Sequence, residues 1–179
     1  MKLHNPQITL RKSQGVTLME LMVGLVIVTI GFTVAVPSFQ GMIARNRVAT
    51  QVNEMILTIN LARSEASRTG ASVSIQALDG SDTSNEFGPG WCVVFGSPGD
   101  CDGDPDAPIR FFDPLVGDST LNLVAAGGGT SILFTPLGAM VNSTTVSLDL
   151  CYEGQTGRRI VISPTGRSKS TSADPAPAC

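Results

Sequence analysis

Gly15-Val16-Thr17-Leu18-Met19-Glu20 opens an apolar run that continues to Phe39, and from Leu21 to Val36 it carries no charged side chain. Val16 to Val36 is 21 residues, which as helix extends ~31 Å, about the thickness of a bilayer hydrocarbon core. Glu20 is the one charge near its start, while Lys2, Arg11 and Lys12 lie on the other side of Gly15. A secretory signal peptide carries its small-residue cleavage site after the apolar region; here the glycine comes before it. Cleavage at Gly15 would remove the basic leader and make the apolar helix the new N-terminus. The expected organisation is a leader over residues 1–15, a transmembrane or filament-core helix over 16–38, and an exported domain over 39–179.

Lys12-Ser13-Gln14-Gly15-Val16-Thr17-Leu18-Met19-Glu20-Leu21 resembles the type IV prepilin signal shared by pilins and type II secretion pseudopilins. The resemblance implies cleavage after Gly15 by prepilin peptidase and N-methylation of Val16, a position where phenylalanine is usual. It also implies that Glu20 serves filament assembly. Acidic side chains inside spanning helices are rare and functional, so a plain signal anchor is the weaker explanation. Farther on, Asn46-Arg47-Val48, Leu61-Ala62-Arg63-Ser64-Glu65-Ala66 and Gly90-Trp91 resemble the FimT/FimU and GspH branch of minor pilins and pseudopilins. The likeness is good from Lys12 to about Ile75 and patchy beyond. In that family a proline matching Pro37 bends the helix, as ring clash with the carbonyl four residues back would lead one to expect.

The formal charge of −3 conceals an asymmetry. All 15 acids follow Gly15 but 3 of the 12 bases precede it, so the processed chain carries 9 − 15 = −6. An acidic domain behind a basic leader fits the positive-inside rule, with the domain in the periplasm, and it excludes wholesale polyanion binding. The four cysteines, Cys92, Cys101, Cys151 and Cys179, then read as two disulfides in an oxidising compartment. Three pairings are open; short loops favour Cys92–Cys101 with Cys151–Cys179. Zinc is a poor rival, because there is no C-x-x-C pair and the sole histidine, His4, is in the leader. Loss of that histidine also removes the commonest general base. With no nucleophile-elbow, phosphate-loop or H-E-x-x-H spacing, we expect neither enzymatic activity nor a cofactor.

Beyond Pro37, Phe39, Met42, Ile43, Val48, Val52, Met55, Ile56, Ile59, Leu61, Ala62 and Ala66 recur at helical steps and predict an amphipathic helix ending at Thr69-Gly70. On this reading Arg63 and Glu65 belong to its solvated face, and Trp91 belongs to the core. Seven short strands follow, over 73–77, 91–95, 109–112, 121–124, 131–134, 146–151 and 159–162. The fold class is therefore α+β, a long N-terminal helix packed on antiparallel sheet. Ile132–Gly138 and Ile160–Gly166 echo each other as strand followed by x-Pro-x-Gly turn. The Ser/Ala/Pro-rich tail from Ser170 to Ala178 would be disordered unless Cys179 tethered it.

Two charge clusters invite ligands. Asp100, Asp102, Asp104 and Asp106 alternate around Gly103, a spacing that could turn carboxylates onto Ca²⁺; a solvated acidic turn is the stronger reading. From Cys151 to the end, Arg158, Arg159, Arg167 and Lys169 outnumber Glu153 and Asp174. Gly166-Arg167-Ser168-Lys169 resembles the Gly-Arg-x-Arg motif of FimT-type pilins, which implies contact with double-stranded DNA. Lys169 replaces the second arginine and lacks its planar fork. The expected protein is a FimT/FimU-like minor pilin, anchored in the inner membrane and then assembled with other pilins into a pilus or at its tip. A GspH-like pseudopilin is the rival within this architecture. A membrane-anchored periplasmic binding module is the rival from another class.

Overall fold

The structure, a computed structural model, describes residues 15–81, 84–96, 101, 109–124, 129–141, 143–152 and 157–172, apart from the side chains of 34, 37, 38 and 172. Contacts divide the chain into two compact units, Met1–Gln40 and Gly41–Cys179. Helix α1, Leu18–Thr69, contributes to both and continues through Pro37 without a break.

Thr17 starts the helix. Its Oγ1 accepts a hydrogen bond from the Glu20 N–H at 3.2 Å, satisfying one of the donors that a helix N-terminus leaves unpaired. Every apolar side chain described from Leu18 to Phe32 is exposed. Thr29 and Thr33 donate their hydroxyls to the carbonyls of Leu25 and Ile30, so the segment hides its own polar groups, as an apolar environment requires. Among the described residues no helix is long and apolar enough to cross a membrane.

In the second unit α1 buries Ala44, Val48, Gln51, Val52, Met55, Thr58, Ile59, Ala62 and Ala66. These positions keep close to the 3.6-residue period. Continued backwards, the stripe falls near residues 40 and 41, so Phe39, Met42 and Ile43 lie off it and are exposed rather than in the core as expected. Gly70 ends the helix with φ of 68°, its N–H bonded to the Ala66 carbonyl at 3.0 Å. That left-handed cap is cheap only for glycine.

Eight strands follow among the described residues: β1 Val73–Ala77, β2 Trp91–Phe95, β3 Arg110–Phe112, β4 Ser119–Val124, β5 Ser131–Phe134, β6 Val146–Tyr152, β7 Arg158–Ile162 and β8 Ser168–Ser172. They form two antiparallel sheets, ordered β3-β2-β1-β5 and β4-β6-β7-β8. Alternate residues of both sheets share one core with the helix. Trp91 is fully buried there, stacked on Phe112 at 5.5 Å and donating from Nε1 to Thr58 Oγ1 at 3.1 Å. Strand β8 is a correction. Ser168-Lys169-Ser170-Thr171-Ser172 lacks apolar alternation, yet its backbone pairs with β7 along its whole length, so the tail expected to start at Ser170 begins as strand.

Among the described residues, strand β4 has no strand on its outer side. Instead Asn85 Oδ1 accepts from the Leu121 N–H at 2.9 Å and Glu86 Oε2 from the Leu123 N–H at 3.2 Å. Phe87, the next residue, donates its N–H to the Leu121 carbonyl at 3.1 Å and is fully buried. The cap covers an edge that would otherwise be free to pair.

Candidate assembly and binding surfaces

The residues expected to serve processing and assembly stand at the start of α1. Gly15, Val16 and Glu20 are exposed. Glu20 is the third residue of the helix, and with Thr17 it completes a T-x-x-E spacing that a capping reading of the sequence could have found. A carboxylate in the first turn faces the positive end of the helix dipole. The isolated helix therefore holds Glu20 at little cost while leaving it exposed to a partner.

The basic residues of the C-terminal region do not form one patch. Arg159 makes a two-pronged pair with Asp149, Nε to Oδ1 and Nη2 to Oδ2, both at 2.6 Å. The two sit directly opposite in the β6–β7 register. Those hydrogen bonds hold the guanidinium above its ordinary arginine range, against a smaller opposing effect of burial. Arg159, expected among DNA-contacting residues, thus serves an almost buried carboxylate, 7% exposed. Arg158 is exposed at the start of β7. The β7–β8 turn lies beyond Ile162, about 13 Å along the strand. Arg167 and Lys169, at that turn end, are exposed, and neither has an ion pair among the described residues.

Gly166, with φ of 75°, has no room for a side chain. A side chain there would run into the Gly138 carbonyl and meet the Arg63 stem. Gly138, with φ of 73°, likewise faces Arg63 and the Ser67 hydroxyl. The two echoing turns are thus docked on each other over one arginine, and Met140 N–H donates to the Pro164 carbonyl at 2.9 Å to join them. Arg63 is half-buried beneath both turns rather than part of a solvated face, whereas Glu65 pairs with Arg68 at 2.6 Å.

Cys92 and Cys101 are joined in a disulfide, as expected. Cys151 is disulfide-bonded too; Cys179, its expected partner, lies outside the described residues. So do Asp100, Asp102, Asp104 and Asp106 of the acidic loop. Among the described residues no group of acids, histidines and cysteines is arranged to hold a metal ion.

Residues 51–166, more than half of the chain, match the family model described as type II transport protein GspH. The chain belongs to the GspH family. Residues 10–36 match the prokaryotic N-terminal methylation motif, which spans Gly15, Val16 and Glu20. Among solved structures this GspH-family chain is similar to the type IV minor pilin FimU of Pseudomonas aeruginosa. The identity is 28%, over 75% of this chain and 95% of that one, with a TM-score of 0.61. A second crystal form of FimU gives 28% identity, 73% and 97% coverage and a TM-score of 0.57. The minor pseudopilin EpsH from the type 2 secretion system of Vibrio cholerae is 12% identical over 74% and 99%, with a TM-score of 0.50, a likeness of fold. No curated protein matches the chain. The molecule is thus a pilin-like protein of the FimU and GspH kind, bearing an N-methylation motif ahead of an α+β domain.

Proposed function

We propose that this GspH-family chain is a minor type IV pilin. Prepilin peptidase cuts after Gly15 and Val16 becomes the methylated N-terminus. Residues 16–38 hold the precursor in the inner membrane with the domain of 39–179 in the periplasm, and the same helix later enters the pilus. The observation that carries this reading is the wholly exposed apolar surface of α1 from Leu18 to Phe32, led by Glu20. Such a surface must be covered by lipid or by other apolar helices, because leaving it in water costs about 1.5–3 kcal/mol per large side chain. The 28% identity to a minor pilin, against 12% to a pseudopilin, favours the pilus. The match to the type II transport family model supports the alternative, a pseudopilin of a secretion system.

Intact-mass measurement of membrane-derived protein tests the reading. The expected product begins at methylated Val16. A chain still beginning at Met1 in cells with active prepilin peptidase would overturn it.

Contact with duplex DNA at a pilus tip is a finer reading that now rests on Arg167 and Lys169 alone. What favours it is their exposure side by side at the β7–β8 turn without acidic partners among the described residues. Arg158 stands at the far end of its strand.

A further inference from the structure

No acidic residue stands between Glu20 and Glu54, and the first charges after the apolar run are Arg45 and Arg47. With residues 16–38 as a membrane anchor, both arginines fall on the exported side, which usually carries fewer of them beside a span. Met42 and Ile43, just ahead of them, are exposed, as are both arginines. Met42 is six residues past Val36, a tether of at most ~22 Å whatever its course.

The fold gathers the same chemistry at this end of the domain. Arg47 donates from Nη1 to the Tyr152 hydroxyl at 3.4 Å, and a side chain on Gly117 would meet both. Exposed Val116 precedes that glycine and lines a cleft of about 400 Å³ with Ile43, Arg47 and Leu115. Exposed Arg158 stands opposite Leu150 in the β6–β7 register. That makes it the diagonal neighbour of Tyr152 on the same sheet face, ~7–8 Å away. The acids lie farther from the tether. Phe112 shares a cavity with Glu54, Leu57 and Leu61, whereas the Val116 carbonyl accepts from Gln51 Nε2 at 3.1 Å. Asp113 and Glu54 are therefore about two helical turns beyond Arg47. Among the described residues this leaves Asp118, exposed beside Gly117, against three arginines.

We propose that this end of the domain docks on the anionic headgroups of the membrane that holds the precursor. The proposal rests on the membrane reading of residues 16–38. Met42, Ile43 and Val116 enter the boundary between headgroups and acyl chains, while Arg45, Arg47 and Arg158 meet lipid phosphate. Tyr152 adds an amphipathic ring between two of those arginines, as aromatic side chains do at membrane interfaces. Docking holds the domain against the bilayer before assembly and ends when the helix leaves the lipid.

The test places the full processed chain in nanodiscs of phosphatidylcholine with brominated acyl chains, with and without phosphatidylglycerol. Ile43→Trp is the probe, because bromine quenches an indole only on contact and native Trp91 is fully buried. The expected result is strong quenching in anionic discs and little in neutral ones. Each of Arg45→Gln, Arg47→Gln and Arg158→Gln should lower the docked-to-free ratio about fivefold. Salt at about 1 M, which shortens the screening length to ~3 Å, should act like the triple change. Leu57→Trp, at an exposed site fourteen residues farther along the helix, should stay unquenched. Equal quenching of the Ile43→Trp probe in both discs, as for a surface covered without regard to lipid charge, would overturn the proposal. So would quenching that the triple arginine change leaves intact. A chain that enters neither disc overturns the membrane reading, and this proposal falls with it.

Discussion

The backbone carbonyl of Gly138 occupies the place that a side chain on Gly166 would need. The two glycines end turns of similar sequence, one after β5 and one after β7, and so tie the two sheets together above Arg63. Gly166→Ala should therefore destabilise the domain by about 2–4 kcal/mol, from a left-handed backbone together with a clash that backbone cannot relieve. Gly138→Ala should cost less, about 1–2 kcal/mol, because its neighbours are the ends of Arg63 and Ser67, which can move. Urea denaturation of the two variants checks the order.

Arg159→Ala should lower stability by about 1.5–3 kcal/mol by leaving the Asp149 carboxylate without its charged donor. The double change Asp149→Asn with Arg159→Gln should recover part of that loss. Denaturation midpoints at neutral pH measure both. If Arg159 instead served a ligand, the single substitution would leave the midpoint unchanged.

Glu20→Ala should insert into the membrane normally and be missing from sheared pili. In the single chain Glu20 is exposed in the first helical turn, where its charge is easily held. In a filament it is desolvated and needs a neighbour's N-terminal ammonium; an unpaired buried charge costs about 3–5 kcal/mol. Equal recovery of mutant and wild type in the pilus fraction would count against this role.

Removing the Cys92–Cys101 bridge by a double change to serine should cost about 2.5–3 kcal/mol, the chain-entropy value for a loop of this size. Non-reduced peptide mapping should find Cys151 joined to Cys179. A peptide joining Cys92 to Cys151 would reject the pairing.

Duplex DNA, if bound, should show a log–log salt slope of about −2, since two cations remain for phosphate contact. Arg167→Gln should weaken binding more than Lys169→Gln, because only the guanidinium can grip phosphate through two parallel hydrogen bonds. Arg159→Gln should leave binding unchanged. A titration of the processed chain at ~50 mM salt, where such contacts are strongest, decides the matter. Absence of binding there would leave Arg167 and Lys169 as solubilising charges.

Local chemistry was legible in the sequence wherever the signal lies in consecutive residues. The prepilin-like start, the helix to Thr69 with its Gly70 cap, the strands rich in branched and aromatic residues, buried Trp91 and the Cys92–Cys101 loop all depend on spacing along the chain. The T-x-x-E cap at Thr17 is equally a matter of spacing along the chain. Tertiary structure alone decided the rest, because it depends on which surfaces meet. Strand β8 has no apolar pattern of its own and exists through its pairing with β7. Arg159 looked like a free cation until the register set it opposite Asp149. Arg63 looked solvated until two turns from distant parts of the chain closed over it. Periodicity states which side chains share a face of the helix, and only packing determines how far the sheets extend to cover it.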